Sequence, residues 1–214
     1  MCNDYEQHIR WKEYCEMMQS LALRIPAHQS ELDLPTADDI KIGDIAPVVR
    51  TSGDEYELFA AKFGFLPSAG RKGGPVFNFV SENRDFSESK RCLIPASAFF
   101  EFTGTKYPKA KHRFTLAEGA MFAIAGLWRE GEGNQPASMT MLTTKPSPDV
   151  EPIHNRQVVI LKPEDWRHWL ALSKPQDQLL KPLPAGSLSV EQVRVGSDCR
   201  SPHRDASAAE TAIF

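Results

Sequence analysis

Cys2 is the residue with the richest chemistry open to it. Methionine removal is favoured before a small residue, and loss of Met1 would leave a cysteine whose amine and thiol sit on adjacent carbons. An α-amine titrates at about 7.7–8.0 against about 10.4 for lysine, so its free-base fraction near neutrality is roughly 300-fold larger. Such a 1,2-aminothiol condenses with an aldehyde to an imine, and the thiol then closes a thiazolidine ring. The alternative is that position 2 is merely encoded as cysteine. Three further residues invite attention. Asn78 lies in Pro75-Val-Phe-Asn-Phe-Val-Ser81, apolar on both faces, so its amide is expected to be buried and hydrogen-bonded, in a structural or a functional role. Glu101 stands among Phe99, Phe100 and Phe102; desolvation there would raise its pKa and suit proton transfer, unless the side chain faces water. His154 sits where the loop Val150-Glu-Pro-Ile-His-Asn-Arg156 runs into an apolar stretch, a place for a general acid or base or simply for a surface histidine.

The elements that must position these residues are mostly strands. Residues 4–22 read as one amphipathic helix through Tyr14, Met17, Met18 and Leu21, capped by Asn3 or Asp4. That helix would put Cys2 just outside its N-terminus, where the dipole favours a thiolate and Asp4 and Glu6 oppose it. Strand-like runs cover residues 45–51, 56–60, 75–81, 99–103, 113–116, 121–128, 139–144, 158–162 and 193–195, separated by turn-rich pieces such as 68–74 and 131–136. A second helix starts near Pro163 and carries Trp166 and Trp169. With few helices between strands, the pattern predicts a single α+β domain with an antiparallel, barrel-like β core and flanking helices. The domain is expected over residues 2–196, with 197–214 a flexible tail.

Composition fits that reading. The 214 residues are 41% hydrophobic and 25% charged, enough for a sizeable core and incompatible with wholesale disorder. No apolar run reaches the roughly 18 residues of a membrane span, and the first residues are charged where a secretion signal would be apolar, so a cytoplasmic protein is expected. Cys2, Cys15, Cys92 and Cys199 contain no Cys-x-x-Cys pair, which argues against a disulfide framework and a zinc site. The net charge of −3 hides an uneven distribution: residues 61–113 hold 10 Lys+Arg against 4 Asp+Glu, whereas residues 1–60 hold 5 against 12. The basic stretch also carries eight phenylalanines and Tyr107, the mixture that tracks phosphates and stacks on unpaired bases, or else a solvated basic loop beside core rings.

Taken together, Met1-Cys2, Phe63-Gly-Phe-Leu-Pro67, Asn78 with Ser81-Glu82, Arg91-Cys-Leu-Ile-Pro-Ala-Ser-Ala-Phe-Phe-Glu-Phe102, Gly126-Leu-Trp128, Thr143-Thr144 and Ile153-His-Asn-Arg156 resemble the SOS response-associated peptidase family. The motifs run in that family's order over residues 2–170. The resemblance implies a sensor of abasic sites in single-stranded DNA whose N-terminal cysteine forms a thiazolidine crosslink with the ring-opened sugar, shielding the lesion during the damage response. It implies Cys2 as nucleophile, Asn78 orienting its amine and the sugar, Glu101 shuttling protons and His154 assisting ring opening. Autocatalytic removal of Met1 and a lyase-like reversal are implied too. No cofactor, metal or membrane is expected, and a monomer is.

The chain departs from the family pattern in three places. Asn3-Asp4 stands where Gly-Arg is usual, Val80 where an arginine is usual, and Phe63 where a tryptophan is usual. Two phosphate-facing cations are thus absent, and Asp4 would add a repulsive charge beside the nucleophile. Arg71, Lys72, Lys90 and Arg91 are the cations expected to meet DNA instead. Two other functions compete: an N-terminal-nucleophile amidohydrolase using Cys2 and His154 without DNA, and a non-catalytic single-strand binding module.

Overall fold

The computed structural model describes residues 3–67, 73–119, 121–131 and 133–198. Strand β1 (Asp4–Gln7) is followed by helix α1 (Trp11–Ser20), β2 (Ala37–Lys41), β3 (Ile45–Ser52), β4 (Glu55–Phe63), β5 (Asn78–Val80), β6 (Arg91–Ala96) and β7 (Ala98–Thr103). The second half adds β8 (Ala110–Leu116), β9 (Phe122–Arg129), β10 (Ser138–Thr144), β11 (Gln157–Val158), β12 (Ile160–Leu161), α2 (Pro163–Ala171), α3 (Gln176–Leu179) and β13 (Leu188–Arg194). The expected α+β class and barrel-like core are present.

One sheet runs β11-β10-β4-β3-β6-β9-β12, with β5 on β10; an extra pairing of β9 with β10 closes the middle strands into a ring. Its pairs are antiparallel except where β4 and β5 run parallel to β10. Ring closure requires close approach inside, and Gly126 supplies it. A Cβ there would stand 2.8 Å from the Cys92 sulfur and 2.9 Å from Ile94 Cδ1. Successive residues of β6 and β9 serve two cores, which is why both strands read as continuous apolar runs rather than alternating ones. Cys92, Ile94 and Ile124 join Tyr5, Phe99 and Phe114 of the second sheet; Leu93 and Ala125 face Tyr14 and Met18 of α1 and Trp166 and Trp169 of α2. Proline at the first position of α2 starts that helix without wasting an N–H. Its indoles are tied by hydrogen bonds from Trp166 Nε1 to the Leu161 carbonyl and from Trp169 Nε1 to the Cys92 carbonyl, both 3.0 Å.

The second sheet, β13-β8-β7-β1-β2, corrects the expectation of one helix over residues 4–22. Helix α1 begins only at Trp11, and Asp4–Gln7 is a strand paired on both sides. The argument for a thiolate at a helix N-terminus therefore falls away. All four β1 residues are buried, two of them acidic. Tyr5 packs inward, its ring 6.0 Å from Phe63. Asp4 and Glu6 point to the other face, where they meet cations of β8 across β7. Lys111 Nζ sits 2.8 Å from Asp4 Oδ2, over the Phe100 ring at 3.6 Å, and takes Asp39 as second carboxylate. Arg113 forks onto both Glu6 oxygens, with Nε 2.8 Å from Oε2, and Ser97 Oγ donates to Oε1 at 3.0 Å. The charge expected to repel at Asp4 is thus neutralised by Lys111. Strands β2 and β6 had no counterpart among the expected runs. The acidic β2 buries only Ile40 and so lacks alternation, and Pro95 interrupts β6.

Burial by itself would raise the Glu6 carboxyl, but the bonds from Arg113 and Ser97 outweigh it and hold it below the ordinary 4.5. A depressed folded-state pKa stabilises the fold above 4.5, and that contribution is lost as pH falls through the depressed value. Glu6→Ala is expected to cost on the order of 2–3 kcal/mol in urea unfolding near neutral pH, because it strands the partly buried Arg113. The deficit should shrink on acidification, when the wild type loses the same pair; a deficit independent of pH would refute the assignment.

Candidate active site

Strand β7 alternates between the two faces of its sheet, so Phe99 and Glu101 point inward with Tyr5 while Phe100 and Phe102 point the other way. The Phe99 ring stacks on Phe114 at 4.9 Å and continues the core. Glu101, two residues on, remains only 1% exposed at the end of that core. It lines a small cavity of about 220 Å³ together with Asn3, Phe102, Tyr107, Lys109, His154 and Arg194. That is below the about 300–1,000 Å³ of drug-sized ligand sites, a volume suited to one small group. Asn3 reaches the cavity because the four residues behind it are locked between β7 and β2. Cys2 lies outside the described residues.

His154 arrives from the opposite side, on the loop between β10 and β11. Val150 is fully buried, and its carbonyl accepts from the amides of Ile153 and His154 at 2.8 and 2.9 Å. The imidazole Nδ1 lies 2.9 Å from the Arg156 carbonyl oxygen, 3.1 Å from the Arg156 amide nitrogen and 3.7 Å from Glu101 Oε2. With the proton on Nδ1 and given to the Arg156 carbonyl, Nε2 carries the lone pair and can act as a base. Burial lowers the imidazole pKa below 6.5; the bond to Arg156 opposes this and the Lys109 charge adds to it. The ring is therefore neutral at neutral pH.

Asn78 does not line this cavity. It opens β5, opposite Met141 of β10, half-buried with its Oδ1 shielded from solvent. A clamp connects it to the histidine loop: Arg156 makes a forked bond to Glu82 at 2.9 and 2.8 Å, and Arg156 Nη2 also donates to the Thr143 carbonyl at 2.9 Å. Glu82 also accepts from the Lys145 amide at 2.8 Å. The end of β5, the end of β10 and the His154 loop are thus bonded to one another.

The expected DNA-binding cations fare differently. Arg71 and Lys72 lie outside the described residues. Lys90 pairs with Glu130 at 2.8 Å and covers Trp128, away from the Glu101–His154 cavity. Arg91 is engaged within the fold: its guanidinium donates to the carbonyls of Trp169, Phe86, Ser87, Ser89 and Leu170 at 2.9–3.3 Å, which ties α2 to β6. Sequence reasoning passed over Lys109, Arg194 and Tyr107 at the cavity. Lys109 and Tyr107 lie inside the basic, aromatic stretch, which was the available signal. Arg194 had none, since it is brought there by pairing of β13 with β8.

These features define a class: an α+β domain whose first strand is built into a sheet so that Asn3, just before it, meets a carboxyl and an imidazole in one small cavity. Comparison with known proteins agrees. A family model described as SOS response associated peptidase (SRAP) matches residues 1–197. The chain belongs to this family. It is 38% identical over 171 residues to abasic site processing protein YobE of Bacillus subtilis, covering 72% of this chain and 78% of that protein. To abasic site processing protein YoqW of the same species it is 37% identical over 133 residues, 58% of this chain. The matched part spans only 59% of YoqW's length. Crystal structures of a protein from Bacteroides thetaiotaomicron and a phage-related protein from Bordetella bronchiseptica share the fold. Their TM-scores are 0.67 and 0.66 and their identities 19% and 20%; each covers 90% of this chain, which in turn covers 92% and 94% of theirs.

An NMR titration of His154 should find its midpoint below 6.5, and a midpoint at or above that value would contradict the buried, Lys109-facing setting. Glu82→Gln, which halves the fork to Arg156, is expected to lower unfolding stability by about 1–3 kcal/mol.

Proposed function

We propose that this chain recognises abasic sites in DNA and captures them covalently through Cys2, shielding the lesion during the response to DNA damage. The observation that carries this reading is the meeting of Asn3, Glu101 and His154 on one small cavity at the end of a fully buried first strand. Membership of the family, and the names of YobE and YoqW as abasic site processing proteins, support the same substrate. An abasic sugar differs from an ordinary nucleotide in offering a latent aldehyde and no base, and a cavity of about 220 Å³ suits a sugar on its own.

In this mechanism Met1 is first removed, autocatalytically as the family name suggests, and the Cys2 amine becomes free. His154 Nε2 takes the proton of the anomeric hydroxyl as the bond from that carbon to the ring oxygen breaks, and the imidazolium returns the proton to the departing ring oxygen, so the sugar opens to its aldehyde. The Cys2 amine adds to the carbonyl carbon. Glu101 delivers the proton with which the hydroxyl departs as water, leaving an imine. The thiol then adds across the carbon–nitrogen double bond, its proton passing to nitrogen, and the thiazolidine ring closes. The resemblance assigns to Asn78 the orienting of amine and sugar, from β5 and outside the cavity lining. Reversal follows the same steps backwards, again through Glu101. A single-stranded substrate fits the cavity, which must admit the sugar without a partner strand.

The test is a denaturing gel of mass-verified protein, lacking Met1, with an oligonucleotide carrying one abasic site. A shifted band that forms without reductant and is absent for Cys2→Ala is the expected result. His154→Ala and Glu101→Gln should slow its appearance by about 10²–10⁴-fold, the usual weight of a proton-transfer group. The rate should climb with pH as the α-amine loses its proton, near about 7.7–8.0, with no acid limb from His154 until below its ordinary value. No band from the Met1-free protein, or a band retained by Cys2→Ala, would overturn the reading; turnover of simple amides instead would favour a hydrolase.

A further inference from the structure

The mouth of the cavity is built by two segments far apart in the chain. The β7–β8 connection contributes Tyr107 and Lys109, and the end of β13 contributes Arg194. Arg194 Nε donates to the Lys109 carbonyl at 2.9 Å, and among the described residues its other two guanidinium nitrogens hold no bond. Neither Lys109 nor Arg194 forms an ion pair with a carboxylate among the described residues. Asp198 feels the Lys109 charge, but its carboxylate is held chiefly by the amides of Lys106 and Thr105, at 2.9 and 2.5 Å. Each cation lies beside a ring: Lys109 Nζ is 5.5 Å from the Tyr107 centroid and Arg194 Cζ 5.7 Å from that of Phe102.

The connection is not a loose flap. Asp198 also accepts from the Thr105 hydroxyl at 3.0 Å, Ser197 N donates to the Pro108 carbonyl at 2.9 Å, and Ser197 Oγ donates to the Tyr107 carbonyl at 3.2 Å. Gly196 lets these strands approach, since a Cβ there would stand 2.6 Å from the Ala110 nitrogen. Ser197 and Asp198, expected to begin a flexible tail, are thus fastened to the site. The result is an 84% exposed tyrosine ring, carried on a fastened backbone, that lines a sugar-sized cavity together with two cations. A phosphate beside a stackable base is the ligand such a combination suits.

We propose that Lys109 and Arg194 bind the phosphate adjoining the abasic sugar and that Tyr107 stacks on the neighbouring unpaired base. This rests on the abasic-site reading above and adds to it the residues that grip the strand. Fluorescence anisotropy with a single-stranded oligonucleotide carrying a tetrahydrofuran analogue, which has no aldehyde, measures binding without chemistry. Each phosphate contact contributes about 0.7 to the slope of log affinity against log salt for a single strand, so Lys109→Gln and Arg194→Gln should each reduce the loss on a fourfold rise in salt by about 2.6-fold. Lys109→Gln is the safer of the two for folding, since its side chain holds no structural bond among the described residues. Tyr107→Ala should weaken binding at least about fivefold, and Tyr107→Phe should restore it.

The two readings fail separately. A Cys2-dependent crosslink with unchanged salt slopes for both cation variants would overturn this inference and leave covalent capture standing. Reduced slopes without any crosslink would sustain the phosphate grip and overturn capture. Absence of wild-type binding to the analogue strand would overturn the grip outright.

Discussion

The site depends on one constraint, the burial of a four-residue acidic strand. Asp4–Gln7 cannot enter the middle of a sheet unless its two carboxylates are met by cations, since an unpaired buried charge is far too costly. Lys111 and Arg113, two residues apart on β8, supply them with strand periodicity, so the register of β1 is set by charge as well as by Tyr5 in the core. A slip by one residue would put both carboxylates among Phe63 and Phe99. Asn3, the residue before this strand, is thereby held at the Glu101–His154 cavity.

Asp4 shows the energetic tension in that arrangement. Burial outweighs the opposing pull of the Lys111 ammonium and leaves its carboxyl raised to about 6, and Asp39 shares the same cation. Three charges on one face, lying over the Phe100 ring, form a network rather than a simple pair. Below its raised pKa Asp4 takes up a proton in the folded state, so folding gains relative stability as pH falls from about 6 toward the ordinary value of 3.8. Glu6 has the opposite sign, and the two neighbours therefore shape different parts of the acid stability profile.

The rest of the site is assembled by clamps that join distant segments. Glu82 and Arg156 tie β5 to the histidine loop, Arg91 ties α2 to β6, and residues 194–198 tie the β7–β8 connection to β13. These polar groups act by fixing geometry. The His154 ring, its Nδ1 bonded to the Arg156 carbonyl at 2.9 Å, is thereby held 3.7 Å from Glu101 Oε2, within ion-pair range, by elements that these clamps join. The same rigidity gives the cavity its dry end: Glu101 lies below the ring stack of Phe99 and Phe114, where water has little access.

Residue types and local order were legible in the sequence. The alternating and continuous apolar runs located most strands and the helix with Trp166 and Trp169, because strand and helix periods are properties of a short window. Asn78, Glu101 and His154 stood out because a polar residue inside an apolar stretch is visible without a fold. Tertiary structure alone decided the rest. The polar Asp4–Gln7 looks like the start of a helix until Arg113, 107 residues away, neutralises Glu6. Arg91 looks like a free cation until the carbonyls of Trp169 and Leu170 close around it, and Arg194 has no visible role until β13 pairs with β8. The reason is physical: propensity and periodicity act over a few residues, whereas the desolvation of a charge and the partner that compensates it are set by whichever strands the fold brings together.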